Sequence, residues 1–90
     1  MTVKLNLHPY LVHLADNKDR HEVNGATIGE CLEDIVRRYP DLEEWLFTEE
    51  RELKSLFDVF LNMESTEPER LAKPVRDGDD INIIIVIAGG

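Results

Sequence analysis

Apolar and polar residues alternate along the first eight positions of the chain. Polar side chains separate Val3, Leu5 and Leu7, which is the period-2 pattern of a strand with one buried face. Pro9 interrupts the pattern, so we expect this strand to be kinked or to lie partly at an edge, with residues 10–15 able to continue it. A polar turn follows, and residues 20–24 are predicted to complete a hairpin.

A helical period replaces the alternation after residue 27. Thr27 and Glu30 have the spacing of a capping box, in which the hydroxyl accepts from an amide and the carboxylate reaches back to the cap amide. Pro40 is expected to stop the helix. Its apolar positions form one stripe, made of Ile28, Cys31, Leu32, Ile35, Val36 and Tyr39.

Shorter elements are predicted in the middle of the chain. A stripe of Leu42, Trp45 and Leu46 indicates a short second helix, followed by a charged loop. Residues 56–61 are predicted to form a strand, with its apolar side at Phe57, Val59 and Leu61. A polar turn at 62–68 and one helical turn at 69–71 follow.

The last strand is predicted at residues 81–87, after a tight turn in which Gly78 supplies a positive φ. Its residues are β-branched at almost every position, which is typical of a central strand buried on both faces. One helix packed across a mixed sheet is the simplest way to bury these faces, with the first and last strands as neighbours in the middle. We therefore predict an α+β fold and a single domain over residues 1–90, with 88–90 as a flexible C-terminal tail.

Charge narrows the classes of partner. The 90 residues carry 19 acidic and 10 basic side chains, which gives a formal net charge of −9. This balance argues against binding to nucleic acid and to anionic membranes, both of which attract Lys and Arg. The first residues lack the apolar stretch of a signal peptide, so a cytoplasmic protein is expected. The acidic excess is greatest over residues 41–52, and residues 81–90 carry no charged side chain.

The side chains offer little chemistry of their own. Cys31 lies on the helical stripe without a nearby base, so it is expected to pack as a small apolar residue. His8, His13 and His21 match no metal template and are expected to face solvent on strands. The turn at 76–80 resembles a calcium loop in composition alone, because it lacks the later bidentate Glu. The chain is therefore not expected to be a stand-alone enzyme, nor to hold a metal.

Gly89 and Gly90 follow directly on the apolar strand. Without β-carbons, such a segment can thread a narrow channel and approach another backbone closely. Two or three extended residues would project about 7–10 Å beyond the sheet. The pattern thus indicates a carboxylate that can be presented to another protein.

The order of several short segments resembles the MoaD/ThiS family of sulfur carriers, which are prokaryotic relatives of ubiquitin. The matching segments are Asn-Gly-Ala-Thr-Ile-Gly-Glu (24–30), Arg-Tyr-Pro (38–40), Phe-Leu-Asn (60–62), Arg-Asp-Gly-Asp-Asp (76–80), the Ile-rich final strand and Ala-Gly-Gly (88–90). The resemblance implies a β-grasp fold, with a mixed sheet of four to five strands packed on one main helix plus short helices.

The resemblance also implies a role for the chain's end. A ubiquitin-activating-like enzyme would adenylate Gly90 with Mg-ATP, and a sulfur donor would convert it to a thiocarboxylate, while Gly89 enters the partner's active site. The chain itself would bind no cofactor. A synthase would accept the sulfur, and a protease could trim the C-terminus of a longer precursor. Ala88 and the strand residues Ile87, Ile85 and Ile83 are candidates for docking on these partners.

The sequence leaves the destination of the sulfur open. The length of the segment 49–56 is more similar to carriers of molybdopterin synthesis or of amino-acid sulfur than to the smallest thiamine-pathway carriers. Two alternatives to a carrier also stay open: a ubiquitin-like modifier joined through Gly90 to target lysines, and a β-grasp interaction module whose two glycines are incidental. The acidic residues 41–52 either steer association with basic partners or serve as a solubilising face.

Overall fold

The alternating segments of the sequence form the strands of one mixed sheet. A computed structural model describes residues 2–86 of the chain. The strands are β1 (Thr2–Asn6), β2 (Arg20–Asn24), β3 (Phe57–Leu61), β4 (Glu64–Ser65) and β5 (Asp80–Ile85), in the order β2-β1-β5-β3-β4. β1 is antiparallel to β2 and parallel to β5, and β3 is antiparallel to β5 and β4. The predicted pairing of the first and last strands in the middle is confirmed.

The main helix, α1 (Ile28–Arg38), crosses one face of this sheet. The Thr27 hydroxyl accepts a hydrogen bond from the Glu30 amide at 3.1 Å, as the capping box predicts. The Glu30 carboxylate accepts from the amide of Ala26, one residue before the cap, at 2.9 Å. A β-carbon on Gly25 would lie 2.7 Å from the Cys31 amide nitrogen, so this entry to the helix requires a glycine.

Two charged residues of α1 also cover the outer edge of the sheet. The Asp34 carboxylate accepts a hydrogen bond from the Asn24 amide at 3.0 Å, and the Arg38 guanidinium donates to the Glu22 carbonyl. These backbone groups belong to β2, an edge strand, and would otherwise be available to another chain. The two side chains lie 3.6 Å apart, so they hold each other in place along this edge.

The core lies between α1 and the inward-facing residues of the sheet. Its fully buried members include Val3, Leu5, Val23, Ile28, Leu32, Ile35, Phe57 and Ile81. Only one face of β5 is fully buried, because Ile81 and Ile83 point into the core whereas Asn82 and Ile84 are half-buried on the opposite face. The expectation of burial on both faces was therefore wrong. The strand is central within its sheet, but helices cover one side alone.

The segment after β1 is helical and does not continue the strand. Residues Pro9–Leu14 form a 3-10 helix, with Pro9 at its first position. The His8 ring accepts a hydrogen bond from the Tyr10 amide at 3.0 Å through Nδ1, which caps the turn. The fixed φ of Pro9 and this cap favour a helical start, so the expected extension over residues 10–15 was wrong.

The short helix α2 (Asp41–Leu46) follows α1 as predicted. Leu42 and Leu46 are fully buried, but Trp45 is 37% exposed and lies outside the core. In a helix this short, the two leucines face the core and the residue between them at position 45 is directed outward. Trp45 was thus wrongly included in the apolar stripe.

The loops before β5 hold two tight turns. Asn62 and Met63 both have positive φ, and they reverse the chain into the short strand β4, which the sequence pattern had indicated as part of a turn. A second 3-10 helix covers Arg70–Ala72, one residue later than predicted. Gly78 has a φ of +87°, as the predicted turn requires.

No helix among residues 2–86 is long and apolar enough to span a membrane.

Cys31 lies on the apolar stripe of α1 and is fully buried. Burial raises the pKa of its thiol to about 11, and the nearby carboxylates of Asp34 and Glu30 add to this effect. The thiolate is the reactive form of cysteine, so this side chain has little of it at neutral pH. The structure thus supports the prediction that Cys31 serves in packing.

We predict that Thr27→Ala lowers the free energy of unfolding by about 1 kcal/mol, because the Glu30 amide loses its capping hydroxyl. Thr27→Ser is the matched control, since it keeps the hydroxyl. Urea unfolding followed by circular dichroism measures both variants. Equal stability of the Ala and Ser variants would contradict the role given to this cap.

Cys31 is predicted to resist modification in the native protein. At pH 8 a disulfide reagent such as DTNB should label it far more slowly than free cysteine, because the thiol is buried and its pKa is near 11. In denaturant the same thiol should react at the rate of free cysteine. Rapid labelling of the native protein would show that the helix opens or that the thiol is accessible.

Candidate functional site

The candidate site is the end of β5 and the surface around it. The predicted tail residues Gly90, Gly89 and Ala88, together with Ile87, lie outside the described residues, so their roles stay predictions. The residues that lead to them are described as far as Val86. The structure therefore describes the strand that precedes the tail, as far as Val86.

Hydrogen bonds to β3 hold β5 up to the start of the tail. The Val86 amide donates to the Leu56 carbonyl at 2.7 Å, one residue after β5 ends. On the other side, β1 pairs only with Asp80–Asn82. Because β1 ends at Asn6, β3 is the strand that pairs with the last residues of β5. Pairing with β3 thus fixes the course of the chain as far as Val86.

Two of the strand residues predicted to dock on partners, Ile83 and Ile85, are described by the structure, and both lie on the inward side of β5. Ile83 is only 2% exposed, and Ile85 is partly buried against the core. Successive residues of a strand point to opposite faces, and Ile81 on the same face is fully buried. Ile83 is therefore not accessible to a partner, which corrects its assignment as a docking residue, while docking by Ile85 stays a prediction.

A different set of apolar residues lies on the opposite, uncovered face of the sheet. Ile84 pairs across the sheet with Asp58, and Asn82 pairs with Phe60. The Asn82 side-chain amide donates to the Met63 sulfur at 3.7 Å, which brings Met63 to this face. We call the apolar members of this surface the open-face patch: Leu56, Phe60, Met63, Ile84 and Val86.

The open-face patch is accessible and extends to Val86, the last described residue. Met63 is 77% exposed, Leu56 44% and Val86 40%, while Phe60 and Ile84 are half-buried. Sequence reasoning missed this set, although a signal was present. Positions 80 and 82 are polar, so the even-numbered residues of the last strand belong to the uncovered face.

One ion-pair cluster borders the patch. Arg70 lies 3.8 Å from the Asp58 carboxylate and 3.4 Å from that of Glu67. Asp58 also accepts a hydrogen bond from the Val59 amide at 2.8 Å. The open-face patch is therefore bordered by a fixed carboxylate and a cation, which can orient a partner.

The histidines are separated by the fold. His8 caps the first 3-10 helix, and His13 lies within that helix. His21 is buried on the inward face of β2, where its Nε2 lies 2.9 Å from the Lys18 carbonyl oxygen. The expectation that all three face solvent on strands was wrong, and Val23 at the same parity could have shown that position 21 points inward.

The aspartates of the last turn have structural partners. Asp77 accepts from the Thr2 amide at 3.0 Å, and Asp79 accepts from the Arg76 amide at 2.8 Å. Asp80 accepts from the Asn6 side chain and lies 3.6 Å from Arg20. Within residues 2–86, no group of three or more His, Cys, Asp or Glu side chains is placed to hold a metal ion.

Known proteins resemble both the sequence and the fold. The model of the ThiS family matches residues 10–90, whereas no curated protein sequence matches. A chain in the crystal structure of the Amycolatopsis orientalis BexX/CysO complex is 28% identical, with a TM-score of 0.87, and the match covers 98% of this chain and 99% of that one.

Two further structures are similar over the full length of both chains. SAMP1 from Haloferax volcanii is 25% identical, with a TM-score of 0.84, and the match covers 100% of each chain. A chain in the complex of subunits 1 and 2 of the molybdopterin-converting factor from Helicobacter pylori is 21% identical, with a TM-score of 0.62 and the same coverage. These neighbours share the ubiquitin-like β-grasp fold, which confirms the predicted fold class.

The family match spans the capping box, α1, the central strand β5 and the two final glycines. This match confirms the resemblance to MoaD/ThiS-type ubiquitin-like sulfur carriers that the sequence motifs indicated, and the chain is a member of the ThiS family.

Proposed function

We propose that this protein is a sulfur carrier whose reactive group is the carboxylate of Gly90. The observation that carries the proposal is the ThiS family match, which extends from residue 10 to Gly90 itself. The geometry supports it, because β5 is fixed at the centre of the sheet and hydrogen-bonded to β3 up to Val86. A rigid base of this kind would limit the ordering cost when the following residues enter a partner.

The proposed chemistry takes place in partner proteins. In the first step, an oxygen of the Gly90 carboxylate attacks the α-phosphorus of Mg-ATP, and pyrophosphate leaves. In the second step, a sulfide sulfur attacks the acyl carbon and AMP leaves, which gives a thiocarboxylate. This chain contributes the acyl group and binds no cofactor; Gly89 and Ala88 give the tail its narrow cross-section.

We propose that the open-face patch docks the carrier on its partners. Two of its residues, Ile84 and Val86, belong to the segment that leads to the tail, so a partner that covers them would meet the tail directly. The ion-pair cluster around Arg70 would fix the orientation. The similar structures from Amycolatopsis orientalis and Helicobacter pylori are complexes with other proteins, which supports a role in assembly.

Two kinds of partner follow from this proposal. A ubiquitin-activating-like adenylyltransferase would load the sulfur, and a synthase would accept it, in making either a cofactor such as molybdopterin or thiamine or an amino acid such as cysteine or homocysteine. A protease would be needed if the protein is made with residues beyond Gly90. We place all of these steps in the cytoplasm.

The similarity to SAMP1, a small archaeal modifier protein, favours a second candidate function, in which Gly90 is joined to lysines of target proteins. Immunoblots of extracts for tagged protein would show bands of higher mass that resist reductant. The variant without Gly89 and Gly90 is the control and should show the free band alone. A free band alone in both strains would exclude conjugation under those growth conditions.

Incubation with ATP, sulfide and the activating enzyme of the same organism should raise the mass of the protein by the difference between sulfur and oxygen. Oxidation of Met63 adds nearly the same mass, so fragmentation must locate the change at Gly90. The control without Gly89 and Gly90 should gain no sulfur. An unchanged Gly90 in the complete reaction would overturn the proposed function.

Leu56→Asp should slow this loading reaction about ten-fold, because it puts a charge into the apolar contact with the activating enzyme. Ser55→Asp is the matched control, since it adds the same charge at the neighbouring exposed residue. Steady-state rates at varied carrier concentration measure the effect, which should appear mainly in KM. If the two variants load at the same rate, the open-face patch is not the docking surface.

A further inference from the structure

A second surface, on the helical side of the molecule, presents two aromatic side chains to solvent. Tyr10 is 53% exposed and Trp45 is 37% exposed. Their rings pack edge to face with centroids 5.6 Å apart. Tyr10 belongs to the first 3-10 helix and Trp45 to α2, and both elements pack against the core on the side opposite the open-face patch.

The core does not require these two aromatic rings. Leu11 in the 3-10 helix and Leu42 and Leu46 in α2 are fully buried and supply the apolar contacts of both elements. Tyr10 and Trp45 instead contact each other at the surface. Large aromatic side chains that are exposed together are enriched at protein interfaces, where their burial contributes strongly to binding.

The charged residues around Tyr10 and Trp45 indicate which kind of partner would bind there. Asp41 lies one helical turn before Trp45 on the same face of α2, and Glu44 borders a shallow depression together with Trp45 and Lys54. Neither Asp41 nor Glu44 has an ion-pair partner among residues 2–86. The Lys54 ammonium also lies in this depression, where it donates to the Glu44 backbone carbonyl at 2.5 Å and pairs with neither carboxylate. The surface therefore combines aromatic faces with carboxylate oxygens that can still bind a cation of a partner.

Arginine fits this combination better than lysine does. A guanidinium can stack on an indole or phenol ring and, with its remaining donors, bind a carboxylate, whereas an ammonium ion stacks less well. The same segment already contains such a contact, because the Arg51 guanidinium lies 5.5 Å from the centre of the Phe47 ring and pairs with Glu43. Nucleic acids and anionic lipids would be repelled by Asp41 and Glu44.

We propose that Tyr10, Trp45, Asp41 and Glu44 form a second docking surface, which receives an arginine-bearing basic surface of a protein partner. It lies on the other side of the sheet from the open-face patch. A partner bound there leaves the open-face patch accessible, so the protein can hold one partner while its tail engages another. This gives Asp41 and Glu44, two of the six acidic residues in the segment 41–52, a specific role in place of a general solubilising one.

The single tryptophan of the chain makes the surface directly observable. The probe is a dye-labelled heptapeptide in which three arginines alternate with glycine, compared with the same peptide containing lysine. Titration at about 100 mM salt should change the Trp45 emission in a saturable way. The arginine peptide should bind at least about three-fold more tightly than the lysine peptide, as expected for stacking on an aromatic ring.

Variants separate this surface from general attraction to an acidic protein. Peptide anisotropy should show about five-fold weaker binding for Trp45→Ala, for Tyr10→Ala and for the double variant Asp41→Asn/Glu44→Gln. The double variant Glu33→Gln/Glu64→Gln removes the same charge from exposed residues elsewhere and should change affinity less than two-fold. Urea unfolding should first establish that each variant is folded.

Three results would overturn the proposal: no saturable binding, equal affinity for the arginine and lysine peptides, or equal losses in the two charge-neutralised double variants. Each would show that the aromatic pair and its carboxylates do not recognise arginine. The outcome does not depend on whether Gly90 accepts sulfur, because the assay uses neither ATP nor an activating enzyme.

Discussion

The position of β5 is the constraint on which the rest of the structure depends. It pairs with β1 on one side and with β3 on the other, so the two halves of the chain meet along it. Ile81 and Ile83 fill the core beneath α1, and the following residues lead directly to the two final glycines. Any change that loosens β5 would therefore disturb the core and the base of the tail together.

A single helical layer gives this strand two different faces. The inward face is apolar because α1 and the short helices cover it, whereas the outward face remains accessible and carries the open-face patch. The same isoleucine-rich segment thus stabilises the fold with alternate residues and offers Ile84 to a partner. Burial of Ile83 and accessibility of Val86 are consequences of the same alternation.

The helical side has its own surface chemistry. Leu11, Leu42 and Leu46 are sufficient to pack the short helices, which leaves Tyr10 and Trp45 at the surface among carboxylates. A carrier must be recognised by more than one protein if it is first loaded and later discharged. Two separate surfaces of different character, one apolar and one aromatic and acidic, would allow such partners to bind on opposite sides of the sheet.

Local signals in the sequence determined the main helix, the last strand and the family of this protein. The capping box, the apolar stripe and Pro40 identified α1, since these interactions join residues within a few positions of each other. The β-branched residues placed the last strand at the centre of the sheet, and the ordered motifs indicated the family. The helical turn after Pro9 was missed because its cap is the His8 ring, which the alternating pattern had assigned to the solvent face of a strand.

Only the tertiary structure decided which residues are available to partners. A run such as Ile83–Ile85 is apolar throughout, so its composition does not show which side a helix covers. The packing of α1 on one face settled this, because it buries Ile83 and leaves Ile84 at the surface of the opposite face. In the same way, Tyr10 and Trp45 are 35 positions apart along the chain and become one surface only when the 3-10 helix packs against α2.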